Sequence, residues 1–357
     1  FYVLAELWGS VMVSLLFWQF ANEVTRTNEA KRFYALFNLI ANFALIFSGW
    51  TVTYFSEIKD QYPEGVDAWG VSMKWMMAAV VLCGILAMAL YRWMNTSVLT
   101  DPRFYDAAEV KTKDKKSKPK MGVMDSFKYI FSSPYLGFLA ILVIGYGISI
   151  NLIEVVWKDQ IKQAFPDPNA YGSFMGKFSA TTGVVTILLI MFTKGIVRKF
   201  GWLTGAILTP LMVFITGFMF FSFIFFNDTL TPVLAGLGLA GITSTLVAVY
   251  IGAAQNFLSK GTKYSLFDPT KEMAYIPLDP ELKVKGKAAV DVIGGRLGKA
   301  MGGYTIQALL ILTAGNILTI APFLAVIVAI VVFAWIVAVK ALNTRYLSLL
   351  SKQSTTK

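Results

Sequence analysis

Nine stretches of mainly apolar residues, at about 3–24, 33–55, 71–93, 135–157, 171–193, 202–226, 231–256, 288–313 and 320–342, each reach the length of roughly 20 residues with which an α-helix crosses a bilayer. They take up most of the 357 residues. Only 15% of the chain is charged, against about 25% in soluble domains, and 56% is hydrophobic, so there are too few polar groups to cover a water-facing surface. The pattern predicts an all-α integral membrane protein, because a lipid-embedded backbone must satisfy its own hydrogen bonds. The chain begins at Phe1-Tyr2-Val3-Leu4, inside the first apolar stretch and without a charged flank, and reads as a sequence that lacks its N-terminal part.

Basic connectors stay on the cytoplasmic side of a membrane. Nine spans place 25 of the 32 Lys and Arg on one side, among them Arg26, Lys111, Lys199, Lys260 and Arg345, and only Lys59, Lys74, Lys158 and Lys162 on the other. Lys177, Arg296 and Lys299 fall inside spans. The asymmetry supports the span count and makes the C-terminus cytoplasmic.

The longest connector, 94–133, holds the lysine run KTKDKKSKPK, whose ordinary role is a solvated tether beside anionic lipid. It separates residues 1–93, with three spans, from residues 134–345, with six, and 346–357 form a cytoplasmic tail. A two-lobed carrier of six plus six helices has this plan if three helices precede the first, so 1–93 reads as the second half of an N-terminal lobe and 134–345 as a C-terminal one. A weak threefold echo runs through the spans: FANEVTR, NLIEVVWK and AAQNFLSK close the first helix of each triplet, and Asn38, Lys177 and Lys299 then sit early in the second.

Ionisable residues within spans cost several kcal/mol unless a cavity or partner receives them, which makes them functional candidates. Glu6 lies in FYVLAELWGS with Ser10 and Ser14 at four-residue steps. Glu154 shares a helix face with Asn151 and Lys158, at the spacing that also favours a plain i,i+4 ion pair. The eighth stretch, KGKAAVDVIGGRLGKAMGGY, repeats Gly294, Gly298 and Gly302 every four residues, a pattern for close helix approach. Beside that stripe lie Asp291, Gly295, Arg296 and Lys299. Lys299 is about twelve residues past the cytoplasmic boundary, which at about 1.5 Å per residue brings it near the midplane. A midplane lysine beside an arginine is a candidate anion site, with Asp291, Glu6 or Glu154 as possible neutralisers.

Catalytic readings find little support. Histidine is absent and Cys83 is the lone cysteine, which removes His-based triads, imidazole relays, internal disulfides and thiolate metal sites. GGRLGK lacks the spacing and preceding strand of a phosphate-binding loop. No cofactor, metal or nucleic-acid partner is expected.

FYVLAELWGS, FANEVTRTNEAKRFYALF, NLIEVVWKDQIK and above all KYSLFDPTKEMAYIPLDPELKVKGKAAVDV with the glycine–lysine helix after it resemble the nucleotide transport proteins, the ATP/ADP translocases of intracellular bacteria and plastids. The resemblance covers nearly the whole chain. It implies a major-facilitator-like two-lobed bundle of about twelve spans, of which about nine are present here. It implies a transporter rather than an enzyme: a monomer that exchanges ATP for ADP by alternating access, with phosphate as a further cargo, in the inner membrane of an intracellular bacterium or the plastid inner envelope. The family's intramembrane charges then fall on Glu6, Glu154 and Lys299. Gly295-Arg296 departs from the Asn-Pro of many relatives, and the added guanidinium bears on selectivity among phosphates. Taken together, Lys299, Arg296 and Lys158 are the candidate phosphate ligands, Lys177 and Asn151 secondary ones, and Glu6 and Glu154 the carboxylates that pair with lysines in the empty carrier. The alternative is proton-coupled uptake of nucleotides or another organic anion, with Glu6 or Glu154 binding the proton.

Overall fold

The computed structural model describes residues 2–9, 11, 16–25, 27–63, 65–100, 133–193, 195–238 and 241–355, and no strand occurs among them. The lysine-rich connector at 101–132 lies outside the described residues, as does the side chain of Glu6. The chain divides into two compact units, Phe1–Ala44 with Tyr62–Pro119 and Leu45–Gln61 with Lys120–Lys357.

The first unit holds α1 (Tyr2–Trp8), α2 (Trp18–Val24), the beginning of α3 (Thr27–Glu57) and α4 (Ala68–Trp93). The Asp67 carboxylate caps α4 by accepting a 2.9 Å hydrogen bond from the Gly70 N–H, one of the orphan donors of the first turn. Arg92 sits in the last turn, where a cation complements the helix dipole. Val81, Leu82, Leu86 and Met88 of α4 are exposed, as expected where lipid rather than water is the solvent.

The second unit continues through α5 (Pro134–Ala164), α6 (Pro168–Thr193), α7 (Ile196–Phe225), α8 (Asn227–Gly236) and α9 (Ser244–Thr262). After these come α10 (Asp268–Tyr275), α11 (Pro280–Lys287), α12 (Gly295–Thr313) and α13 (Ile317–Thr355). Two π-helical segments, Lys263–Phe267 and Ala288–Gly294, lead into α10 and α12.

Among the described residues six helical segments are long and apolar enough to span a membrane: Leu39–Glu57, Ala68–Val98, Pro134–Ala164, Pro168–Thr193, Ile196–Phe225 and Ile317–Ser351. Helices α9 and α12 have 19 residues each, long enough to cross, but their glycines and polar side chains lower their hydropathy. The stretch expected at 231–256 is displaced. Asn227–Gly236 is a helix of its own and the next begins only at Ser244, because Gly238 takes a φ of 83°, a left-handed conformation that breaks the run. Thr243 then caps α9 by accepting from the Leu246 N–H at 3.2 Å.

Helix α5 is the hub of this unit, packed against α13, α12 and α9, while α7 packs on α9 and α13. Its buried Leu136, Leu139, Leu152, Ile153, Val156 and Trp157 belong to one apolar core with Leu324, Val328, Val332 and Val339 of α13. Between membrane helices there is no water to expel, so close packing and interhelical hydrogen bonds of about 0.6 kcal/mol each carry the association. The Tyr135 hydroxyl donates to the Ala274 carbonyl at 2.7 Å, the Trp157 indole to Val249 at 2.8 Å and the Trp202 indole to Thr270 at 2.8 Å.

The tightest seam is α5 against α12. A methyl group at Gly298 would lie 2.8 Å from the Ile144 carbonyl oxygen, and one at Gly147 would lie 3.0 Å from the Gly298 Cα. Gly302 stands equally close to Asn151, whose Oδ1 would be 2.8 Å from a Cβ there. The four-residue glycine repeat therefore brings the two backbones together as its spacing predicted. A second close contact joins α3 to α6, where a Cβ at Gly49 would meet the Gly176 carbonyl oxygen at 2.5 Å. One end of that contact carries a 2.7 Å ion pair between Lys177 and Glu57, and the Ser173 hydroxyl donates to the same carboxylate at 2.8 Å.

Two stability outcomes follow from these seams. Gly298→Ala must push a methyl into backbone and is expected to cost about 1–3 kcal/mol, whereas Gly303→Ala, which meets open space, is neutral or gains up to about 1 kcal/mol; thermal unfolding in detergent reads both. A Glu57→Gln, Lys177→Gln double-mutant cycle by the same method is expected to return a coupling of only about 0.2–1 kcal/mol, since both groups are exposed.

Candidate functional site

The α5–α12 seam sets the depth of the site. Gly298 touches Gly147 near the middle of Pro134–Ala164, so the next residue, Lys299, stands halfway along the hub helix. Arg296 precedes it by one turn. Both side chains are exposed, and neither has a carboxylate within ion-pair distance among the described residues. Asp291, a possible neutraliser on sequence grounds, is engaged elsewhere. It pairs with Lys271 at 2.9 Å and accepts a hydrogen bond from the Tyr275 hydroxyl at 3.3 Å.

On α5 the expected trio comes together. Lys158 reaches Glu154 across one turn at 2.9 Å, and both side chains remain partly exposed. Asn151, one turn earlier, is drawn against Gly302, and its Oδ1 is buried with no hydrogen-bond partner. An unmet acceptor in a membrane interior costs free energy, so such a position calls for an explanation. Lys177 is brought to Glu57 of α3 rather than to this trio.

One cation of the site escapes a reading of the sequence. With α9 beginning at Ser244 and ending at Thr262, Lys260 lies within a helix and is half-buried rather than in a cytoplasmic flank. The Ser259 hydroxyl donates to the Tyr146 hydroxyl at 3.3 Å, which sets this turn of α9 level with Gly147 and hence with Lys299. The Lys260 ammonium lies 5.4 Å from the centre of the Phe178 ring, and that ring is 4.7 Å from Trp157, the neighbour of Lys158. Glu154, Lys158 and Lys299 all act electrostatically on Lys260. The signal in the sequence was the polar run Gln255, Asn256 and Ser259, which marks this helix as facing other protein rather than lipid.

Among the described residues the cluster thus sets four cations, the exposed Arg296 and Lys299, the partly exposed Lys158 and the half-buried Lys260, against the one carboxylate of Glu154. Such a surplus is stable only beside water or an anion, and a polyanion with several oxygen acceptors suits it best. A different arrangement closes the helix ends nearby, where charges are matched. Lys263 pairs with Asp268 at 2.7 Å, Lys271 bridges Asp268 and Asp291, and Lys287 pairs with Glu272. Among the described residues no group of three or more Cys, Asp or Glu gathers in a way that could hold a metal ion.

The chain is 54% identical over 350 residues to "ADP,ATP carrier protein 1" of Chlamydia trachomatis, which takes in 98% of this chain and 65% of the relative. It is 50% identical over 353 residues to "ADP,ATP carrier protein 1, chloroplastic" of Arabidopsis thaliana, covering 99% of this chain and 55% of that protein. With "ADP,ATP carrier protein 1" of Rickettsia bellii it shares 48% over 348 residues, or 97% of this chain and 68% of the relative. The chain therefore spans roughly half to two thirds of the length of these proteins. No solved structure matches it. The family described as TLC ATP/ADP transporter matches residues 1–346, and with relatives at this level of identity the chain belongs to that family of membrane transport proteins.

Proposed function

We propose that the protein exchanges ATP for ADP across a membrane by alternating access, with phosphate as an additional cargo. The observation that carries this reading is the surplus of cations halfway along α5, where Lys299 and Arg296 have no carboxylate partner among the described residues and Lys158 shares the one acid, Glu154. ATP brings about four negative charges and ADP about three, enough to compensate such a surplus, and both offer oxygens to several donors at once. The relatives named as ADP,ATP carriers support the same cargo.

In this reading the chain supplies about nine of about twelve spans of a two-lobed, major-facilitator-like bundle. The carrier acts as a monomer in the inner membrane of an intracellular bacterium or a plastid inner envelope, with its C-terminus cytoplasmic or stromal. Lys158, Arg296 and Lys299 hold the polyphosphate, Asn151 offers its amide to the same ligand, and Glu154 and Glu6 occupy lysines when the cavity is empty. Lys177 belongs to the same machinery in a second role, released from Glu57 when α3 and α6 part.

The coupling follows from electrostatics. Bound nucleotide competes with Glu154 for Lys158 and neutralises Lys299, so the loaded cavity can be sealed. Empty, the same cations would have to be buried without compensation, at a cost of several kcal/mol per ion. The unloaded carrier then reorients slowly, and net flux requires cargo in both directions.

Counterflow of labelled ATP against internal ADP, with the full-length protein in liposomes, tests the reading directly. Exchange that needs internal nucleotide is expected; uptake that ignores internal ADP and collapses with a protonophore would replace exchange by proton coupling. Lys299→Gln is expected to lower exchange by about 30-fold or more while the protein still inserts and folds. Near-normal exchange in that variant would remove Lys299 from the site. Glu154→Gln is expected to loosen coupling, seen as appreciable ATP uptake into vesicles without internal ADP, and strict exchange in the variant would reduce Glu154 to a structural ion-pair partner.

A further inference from the structure

We infer that Lys260 of α9 is a further phosphate-binding group of this site, and that it discriminates nucleoside triphosphate from diphosphate. The inference rests on the nucleotide-exchange reading above and adds to it a residue and a selectivity.

Lys260 is half-buried in a bundle, and among the described residues no Asp or Glu lies within ion-pair distance of it. Its one close neighbour of favourable charge is the face of the Phe178 ring, 5.4 Å away, a contact worth about 0.5–2 kcal/mol and well short of the cost of holding an ammonium away from water. The nearest acid in its field, Glu154, is held by Lys158 at 2.9 Å. A cation so placed is one that awaits an anion.

Lys299 stands on α12 and Lys260 on α9, two helices that pack on α5 at the same level through Gly298–Gly147 and Ser259–Tyr146 respectively. The two ammonium groups therefore approach one region from different helices rather than forming a single adjacent pair. A polyphosphate chain that engages Lys299 and Arg296 at one end reaches towards Lys260 at the other. A triphosphate has one more phosphate unit and about one more charge than a diphosphate, so it can engage both sides at once, while the shorter chain leaves one side unfilled. The Phe178 ring beside the Lys260 ammonium is itself packed at 4.7 Å against Trp157 of α5, which ties this lysine's surroundings to the hub helix.

The test compares Lys260→Gln with the unchanged protein in liposomes, reading half-saturation for external ATP and for external ADP against a common internal nucleotide. The expected result is a rise of about tenfold or more for ATP with a change of about threefold or less for ADP, since one charge-assisted hydrogen bond is worth about 1.5–3 kcal/mol and tenfold corresponds to about 1.4. Lys260→Arg should retain the preference, and size-exclusion profiles of both variants should match the parent. Equal changes for the two nucleotides, or no change for either, would overturn the assignment, as would loss of the preference in Lys260→Arg with folding intact. If Lys260→Gln does not fold, ATP and ADP half-saturation in Lys260→Met, which keeps the stem and removes the charge, decides: an unaltered ATP-to-ADP ratio overturns it. Should the unchanged protein exchange neither nucleotide, the nucleotide reading fails instead, whatever the variants do.

Discussion

The close approach of α12 to α5 is the constraint on which the site depends. Gly147, Gly298 and Gly302 leave no room for a Cβ between the two backbones, so the register of one helix against the other is fixed to within a residue. That register decides the depth of Lys299. A shift of one turn would carry the ammonium about 5.4 Å along the bundle axis. Small residues in a membrane helix are usually discussed as a means of association; here they also place a charge at a chosen level. The same seam presses Asn151 against Gly302 and leaves its amide oxygen buried without a partner.

Two electrostatic regimes then coexist in one helical unit. Around the π-helical segments three cations are matched by acids: Lys263 with Asp268, Lys271 with Asp268 and Asp291, Lys287 with Glu272. Halfway along α5 the count is unbalanced in favour of cations. A fold that needed charges only for helix–helix specificity would match them throughout, since an unmatched buried ion costs several kcal/mol. The matched set reads as architecture and the unmatched set as a site.

Much of this was legible in the residues because membrane folds write their constraints in simple periodicities. The span-length stretches, the four-residue glycine repeat and the i,i+4 step from Glu154 to Lys158 each follow from helix geometry alone, and six of the nine stretches, the tight seam and the ion pair appear accordingly among the described residues. What was not legible depends on breaks and on partners distant in sequence. Gly238 at a φ of 83° delays the start of α9 to Ser244, which moves Lys260 from an expected flank into the bundle. Hydropathy cannot register such a shift, because 231–243 is apolar enough to pass for part of a span. Lys177 was placed among the substrate candidates because it lies within a span, and its partner Glu57 belongs to a different helix, joined to α6 through Gly49 and Gly176. Asp291 lies two turns before Lys299 on sequence, yet the π-helical segment Ala288–Gly294 alters the helix phase and Asp291 goes to Lys271 and Tyr275.

The departures from regular α-helix are thus concentrated where the charge pattern changes. Lys263–Phe267 follows directly on the turn that carries Lys260, and Ala288–Gly294 directly precedes the turn that carries Arg296 and Lys299. A π-helical insertion adds a residue to one turn and rotates everything beyond it relative to what came before. Asp291 stands about 12 Å of helix rise before Lys299 and is held by Lys271 and Tyr275, so it does not neutralise that ammonium. The irregular turns lie between the matched ions and the unmatched ones, and the unmatched cations remain available for a ligand that brings its own negative charge.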